Sequence, residues 1–330
     1  MEQTAARVGS KVNETRFDRV FNVVVYVLLA LMLIVVIYPL YFVLLASVSD
    51  PQYVNSGTPL LYPRGFTLMG YSRVFADNRI WIGYANTLLY AGAGTLLAVA
   101  VQVMAGYALS RSDLPGRNIF MALFVFTMYF GGGLIPFYLV VKSLNLVNSR
   151  LLMIMLGCSS VYNIIIIRSF FVSTLPKELQ EAAFIDGCTN QRYFFSIVLP
   201  LSKAIIAVIA LYALVAQWNS YFNAMIFLTD RSKYPLQLYL REILLTAKTY
   251  ADTSMVGGDP EAAAKMEQMV EVIKYGVIVV STLPVIAVYP FLQKYFVQGV
   301  MIGAVKGGMK EMYFGTDAQA LQYVQIMARR

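Results

Sequence analysis

The sequence contains no histidine and few charged residues, and both absences narrow the classes of protein that it can encode. Charged side chains make up 13% of the 330 residues, whereas a soluble domain usually carries about 25%. Without histidine or clustered carboxylates, the common ligand sets of catalytic metals are missing. The two cysteines, Cys158 and Cys188, form neither a C-x-x-C pair nor a disulfide framework. These absences argue against a metalloenzyme and against a disulfide-stabilised domain.

Hydrophobic residues, in contrast, account for 58% of the chain. Apolar runs of eighteen or more residues recur, and each can satisfy its own backbone hydrogen bonds in lipid as a helix. The first run is too long for the apolar core of a signal peptide, so it is interpreted as an uncleaved span. The sequence therefore predicts an all-α polytopic membrane protein with six transmembrane helices, at about 20–47, 84–110, 119–143, 151–173, 198–228 and 271–297.

The net charge of +8 is interpreted as the positive-inside rule of membrane proteins rather than as nucleic-acid binding. The short loops decide orientation best, and 110–117 and 174–197 are basic. We therefore expect the N-terminal segment 1–19, the loop 174–197 and the C-terminus to be cytosolic. The long segments 48–83 and 229–270 are then outer loops.

One polar stretch, "EAAFIDGCTNQRYFFSIVLP" at 181–200, lies between two apolar runs. Good helix formers lead to Ile185, and Asp186-Gly187 predicts a stop because glycine tolerates the left-handed conformation. A second helix is expected from about Thr189 into the fifth span. Two short helices around a glycine elbow could transmit a push from a cytosolic partner to a span. From the residues alone, an ordinary interfacial loop remains an alternative.

The spacing of this stretch carries a family resemblance. Glu-Ala-Ala, three residues, Gly, nine residues and Ile-x-Leu-Pro resemble the EAA signature of ABC importer permeases. Segments such as "GGGLIPFYLVVKSLNLVNS", "QWNSYFNA" and "YFVQGVMIGAVKG" resemble the maltose-type second permease and its complex-oligosaccharide relatives. The resemblance implies a type I ABC importer permease domain over 20–308, in the bacterial cytoplasmic membrane. The extension 309–330 lies beyond the pattern and is assigned no function.

The resemblance also implies roles for particular positions. The cytosolic loop would contact the ATPase through Glu181, Ala182, Ala183, Asp186, Gly187, Ile197, Leu199 and Pro200. In this assignment Glu181 makes the polar contact, the two alanines pack closely and Gly187 is the elbow, while Asp186 is favoured as a cap of that elbow. In the loop 229–270, the binding protein would be contacted by Tyr234, Gln237 and Arg241.

The partners implied by the resemblance are a second, different permease, two ATPase subunits that hold ATP and Mg, an extracytoplasmic sugar-binding protein and a carbohydrate. The chain itself has no G-x-x-x-x-G-K-[ST] motif, so no P-loop is expected, and no cofactor is assigned to it. No carboxylate lies in the middle of a predicted span, which disfavours an ion-coupled carrier. An ABC permease for a non-sugar solute and a stand-alone carrier remain the alternatives.

Polar residues within the predicted spans are the candidates for a substrate path. Aromatic rings can stack on the C–H face of a sugar, and amides hydrogen-bond its hydroxyls. The candidates are Gln217, Trp218, Asn219, Tyr221, Asn223 and Asn163. An interfacial aromatic belt explains the fifth-span set equally well. For Asn163 and Gln102, interhelical hydrogen bonds are favoured, and the glycine break in "YFGGGLIPF" (129–137) is either a gate or a site of close helix packing.

Overall fold

The computed structural model of the protein describes residues 15–54, 60–254, 273–287 and 290. Within these ranges the regular structure is helical and contains no β-strand, so the predicted all-α class is confirmed. The extension 309–330, the motif "YFVQGVMIGAVKG" and much of the second outer loop lie outside the described residues. The side chains of 246–254 are also outside this description.

Most of the described helices are joined by short connections. In chain order they are α1 (Arg16–Ser47), α2 (Pro51–Val54), α3 (Met69–Ala76), α4 (Asn78–Ser110), α5 (Arg117–Tyr129), α6 (Leu134–Ser143), α7 (Arg150–Met155), α8 (Val161–Thr174), α9 (Lys177–Ile185), α10 (Asn190–Tyr193), α11 (Leu199–Leu201), α12 (Lys203–Trp218), α13 (Tyr221–Phe227), α14 (Leu236–Ser254) and α15 (Ile273–Ala287). A π-helical turn, Phe194–Val198, joins α10 to α11, and a 3₁₀ turn, Arg231–Lys233, precedes α14.

Two of the described helices, α1 and α4, are long and apolar enough to cross a membrane. Two bent pairs would raise the number to four if each pair is one span. These are α5 with α6, bent by 113°, and the segment Asn190–Leu201 with α12, bent by 80°. The helices α8 and α15 are apolar but shorter. The described part of the chain therefore contains two to four such spans, and the count of six stays a prediction.

Three of the six predicted spans are interrupted rather than continuous, at 130–133, at 156–160 and around Ser202 and Asn219. Gly133 and Gly157 both have a φ of +83°, a conformation that glycine adopts without the steric penalty of a β-carbon. At the third site Pro200 follows a π-helical turn, and proline cannot donate the helical hydrogen bond. Hydropathy detects the apolar runs but not these changes of direction.

The described residues form two compact units, one within 1–73 and 250–279 and the other within 74–249 and 280–330. In the first unit, the end of α1 packs with Leu60, and Phe42 meets the ring of Tyr275 edge-on at 5.9 Å. In the second unit, α4 is central and packs against α7, α8 and α12. A β-carbon at Gly106 would lie 2.5 Å from Ile167 Cγ2, so the lack of a side chain permits the close approach of α4 and α8.

Candidate functional site

A cavity of about 420 Å³ lies among α4, α8, α12 and α13 of the second unit. Its walls combine amides and hydroxyls with small residues. They are formed by Gln102, Leu156, Gly157, Ser160, Tyr162, Asn163, Tyr212, Ala213, Ala216, Gln217, Ser220 and Asn223. None of these residues is charged. The cavity is therefore uncharged and carries several hydrogen-bonding groups inside a bundle of apolar helices, where polar side chains commonly mark a solute pathway.

Two amides on neighbouring helices fix one wall of the cavity. Asn163 Nδ2 on α8 donates to Gln102 Oε1 on α4 at 3.0 Å. Gln102 Nε2 in turn donates to the carbonyl oxygens of Cys158 at 3.2 Å and Gly157 at 3.4 Å, in the break before α8. The interhelical hydrogen bonds favoured for Gln102 and Asn163 are thus present, and they join the two residues to each other. Because these bonds satisfy buried amides, they hold the irregular backbone of 156–160 in place.

A third amide, Gln217, anchors α12 to the same break. Its Nε2 donates to the carbonyl oxygen of Leu156 at 2.6 Å and to that of Met153 at 3.4 Å. A β-carbon at Gly94 would lie 2.5 Å from Gln217 Nε2, so the space for this amide depends on a glycine of α4. The orientation of Gln217 therefore depends on backbone groups and on a glycine that are distant in sequence.

The structure brings three of the six path candidates to the cavity, namely Asn163, Gln217 and Asn223. The other three lie outside its lining. Trp218 is buried, and its indole N–H donates to the carbonyl oxygen of Ser281 on α15 at 3.2 Å. Asn219 is exposed and donates to Val215 of its own helix. Tyr221 is also exposed. Trp218 therefore packs helices together in the described structure.

The cavity also contains polar residues that the sequence reasoning did not select, Tyr162, Tyr212, Ser160 and Ser220. Ser220 follows Gln217 by three residues, and this spacing places two residues on the same face of a continuous helix. The predicted fifth span was therefore sufficient to select Ser220 together with Gln217. The tyrosines carried no such signal, because aromatic residues are common throughout this sequence. Only the packing of α8 on α12 distinguishes them.

The polar stretch that resembles the EAA signature begins within α9, whose C-terminus has a Schellman motif. Gly187 has a φ of +76°, which favours glycine because the left-handed conformation penalises a β-carbon. The Gly187 N–H donates to the Phe184 carbonyl at 3.0 Å, and the Cys188 N–H donates to the Ala183 carbonyl at 2.9 Å. Thr189 then caps α10, its Oγ1 accepting from the Arg192 N–H. These local bonds set the angle of the elbow.

The two faces of α9 have different environments. Glu181, Ala182 and Ile185 are exposed, and Ile185 reaches 86% exposure. Ala183 and Phe184 pack against the buried core of α4, α8 and the π-helical turn. At the elbow, Asp186 and Gly187 are exposed. Beyond it Pro200 is exposed, while Ile197 and Leu199 pack against that core. Of the residues assigned to ATPase contact, the exposed ones are available to a partner. The others, Ala183, Ile197 and Leu199, pack against the core and hold this segment in place.

Arg111, directly after α4, connects that helix to α9. Its guanidinium donates to the Tyr107 hydroxyl at 2.9 Å and lies 5.4 Å from the centre of the Phe184 ring. Asp113 accepts two further hydrogen bonds from the same group, one of them from Nε at 2.8 Å. These hydrogen bonds from Arg111 lower the pKa of Asp113 below its ordinary value, because they stabilise the ionised carboxylate. The C-terminal end of α4 and the face of α9 are thereby joined through one cation.

The segment before α14 packs against the N-terminal part of α4, far along the helix from Arg111. Asn86 Nδ2 donates to the carbonyl oxygens of Ser232 at 2.8 Å and Tyr234 at 3.0 Å. The Leu236 N–H donates to Thr87 Oγ1 at 2.8 Å. The three candidates for binding-protein contact, Tyr234, Gln237 and Arg241, are all half-buried here. This part of the predicted outer loop is therefore an ordered surface on the second unit rather than a loose linker.

Curated relatives of the chain are transport permeases. It is 38% identical over 290 residues to the polygalacturonan/rhamnogalacturonan transport system permease protein YtcP of Bacillus subtilis, covering 88% of this chain and 99% of the relative. It is 30% identical to the maltodextrin transport system permease protein MdxG of the same organism, covering 86% and 95%. No protein-family model matches the sequence.

A solved structure that is similar to this chain also belongs to a transporter. It is a chain of a bacterial ABC transporter involved in the import of the acidic polysaccharide alginate. The TM-score is 0.76 at 32% identity, with 86% of this chain and 99% of the other covered. Relatives above 30% identity across most of both chains establish the family resemblance stated above. The chain therefore belongs to the carbohydrate ABC transporter permeases, which are non-catalytic subunits of the cytoplasmic membrane.

Proposed function

We propose that this chain forms half of the translocation path of a binding-protein-dependent ABC importer for an oligosaccharide. The observation that carries the proposal is the neutral, amide-lined cavity of about 420 Å³ within apolar helices. Its size lies in the range of about 300–1,000 Å³ that is common for small-molecule sites. Amides and hydroxyls without charges match the many hydroxyl groups of a sugar. The path residues of this proposal are Asn163, Gln217 and Asn223.

Relatives suggest the substrates with which to begin. The names of two similar proteins mention acidic polysaccharides, polygalacturonan/rhamnogalacturonan and alginate. Other relatives are named for maltodextrin and for arabinooligosaccharides, which are uncharged. The proposed substrate class is accordingly an oligosaccharide, and a test panel must contain both a uronate trimer and neutral trimers.

The proposed topology has six spans with both termini in the cytosol, as in a type I ABC importer permease. The basic loops around 110–117 and 174–197 support this orientation through the positive-inside rule. In this arrangement α9 faces the cytosol, and the segment from Tyr234 to Arg241 faces outward. An ABC importer permease works with a partner permease, an ATPase and a substrate-binding protein. A stoichiometry of two ATPases, which hold ATP and Mg, and one different permease is part of the proposal.

Coupling is proposed to run through α9. Its exposed residues Glu181 and Ala182 would contact the ATPase, and exposed Ile185 would add an apolar contact. Movement of α9 would reach α4 through the contact of Phe184 with Arg111, and the fifth span through the π-helical turn. The ATPase can favour one state of the permease only if its contacts with α9 differ between the two states.

The experiment is reconstitution of the importer in proteoliposomes, followed by uptake of radiolabelled trigalacturonate, galactotriose, maltotriose and arabinotriose. We expect ATP-dependent uptake of at least one trimer and recovery of a second permease and an ATPase with this chain. Uptake of none of these sugars together with ATP-dependent uptake of phosphate or an amino acid would refute the sugar assignment. Uptake without the ATPase would refute the importer.

The role of α9 is tested by reversing one charge. Glu181→Lys is expected to reduce sugar-stimulated ATP hydrolysis and uptake together, or to release the ATPase during purification. Gln191→Lys is the matched control, because it adds a cation to an exposed position beyond the elbow. Equal effects of the two variants would contradict a specific contact at Glu181.

A further inference from the structure

One hydroxyl in the cavity has no partner. Ser220 is 9% exposed and lines the cavity, and its Oγ makes no hydrogen bond within the described structure. A buried hydroxyl without a hydrogen bond destabilises a protein. A ligand hydroxyl in the cavity would supply the missing bond. The Ser220 hydroxyl therefore fits recognition of a bound molecule, because it forms no hydrogen bond within the described protein.

Two of the amides that line the cavity, Asn163 and Gln217, have the same polarity. The NH₂ group of Asn163 donates to Gln102. The NH₂ group of Gln217 donates to the backbone carbonyls of Met153 and Leu156. Their carbonyl oxygens, Asn163 Oδ1 and Gln217 Oε1, accept no hydrogen bond from the described residues. These two fixed oxygens are therefore acceptors, which require a donor from the ligand.

This polarity discriminates between sugar groups. A hydroxyl donates one hydrogen bond and accepts others, so it can satisfy both an amide oxygen and Ser220. An ionised carboxylate only accepts, so it cannot form a hydrogen bond with either of these two amide oxygens. The lining residues also provide no lysine or arginine to pair with it.

We propose that this cavity binds one ring of the oligosaccharide through its hydroxyl groups, with Ser220, Asn163 and Gln217 as the recognising residues. The cavity does not recognise the carboxylate of a uronate. If the transported sugar is acidic, its carboxylates are paired by other parts of the importer. The inference rests on the proposed function and deepens it, because it assigns hydroxyl recognition to this half of the path.

The test removes the Ser220 hydroxyl, because no hydrogen bond of the described structure is lost with it. Uptake by the reconstituted importer is measured for Ser220→Ala with the four trimers named above, at low and at high salt. We expect kcat/KM for uptake to fall by about 2- to 10-fold, the range for one hydrogen bond between neutral groups. The fall should be independent of salt, and the thermal stability of the complex should not decrease.

The matched control is Ser202→Ala. Ser202 is also a buried serine whose Oγ has no partner in the described structure, but it is outside the cavity lining. This variant is expected to transport like the wild type. Equal transport by Ser220→Ala and Ser202→Ala would overturn the inference while leaving the importer assignment intact.

Two other results would also overturn the inference. A loss confined to trigalacturonate and reduced by salt would show that the site binds a carboxylate. Uptake of none of the trimers by the wild-type importer, together with ATP-dependent uptake of phosphate or an amino acid, would remove the proposed function and the sugar site with it. Failure of the proposed function is seen in the wild type, whereas failure of the inference about Ser220 is seen only in the variant. The two outcomes can therefore be distinguished.

Discussion

The packing of α4 against α8 makes a sharp prediction for Gly106→Ala. The new β-carbon would lie 2.5 Å from Ile167 Cγ2, 2.8 Å from Ile167 Cβ and 3.3 Å from the backbone nitrogen of Arg168. Ile167 is fully buried, and a β-branched side chain in a helix has essentially one rotamer. The side chain cannot move away, so the two helices must separate.

The expected magnitude follows from two opposing effects. Overpacking a core in this way destabilises a protein by about 1–3 kcal/mol. Alanine in place of glycine within a helix stabilises it by about 0.5–1 kcal/mol. The net loss for Gly106→Ala is therefore up to about 2.5 kcal/mol, with a central value of about 1 kcal/mol. For a chain of 330 residues each kcal/mol corresponds to a fall of about 1.5 °C in melting temperature, so the expected fall is at most about 4 °C.

The assay is thermal unfolding of the purified complex, with Gly92→Ala as the matched control. Gly92 lies in the same helix, and a β-carbon there would meet nothing within 4 Å, so we expect no loss of stability. Adding Ile167→Leu, which removes the Cγ2 atom, should restore part of the stability of Gly106→Ala. Equal melting temperatures for Gly106→Ala and Gly92→Ala would refute the close approach of α4 and α8.

Three further predictions concern single contacts. Trp218→Phe removes the indole hydrogen bond to Ser281 and should lower the free energy of unfolding by about 0.5–1.5 kcal/mol, measured as a lower melting temperature; an unchanged value would contradict that bond. Gly187→Ala forces alanine into the left-handed conformation and should destabilise the elbow by about 1–2 kcal/mol, seen as faster proteolysis of 177–193 than in Gly131→Ala, where φ is not positive. Asp113, whose pKa is lowered by Arg111, should stabilise the loop above its ordinary pKa of about 4 and lose this effect as pH falls through the lowered value. The melting temperatures of wild type and Asp113→Asn should therefore differ at neutral pH and converge in acid, and a constant difference would refute the link.

Much of the architecture follows from local signals in the sequence. Apolar runs of eighteen or more residues require helices, because only helices and closed barrels satisfy the backbone in lipid. The start and stop of α9 were readable from the helix formers up to Ile185 and from Asp186-Gly187, since capping depends on neighbouring residues. The spacing of the EAA-like stretch also identified a family that the relatives confirm.

The sequence by itself therefore determined the helical class, the family and the short helix before the elbow. Tertiary structure decided which polar residues share a cavity. Asn163 meets Gln102 across 61 positions of the chain, and Trp218 turns to Ser281 instead of joining Gln217 in the cavity. The breaks near Gly133 and Gly157 rotate the following helices, so periodicity cannot be carried across them. Which faces meet depends on helix packing between distant segments, and a local pattern of residues does not contain that information.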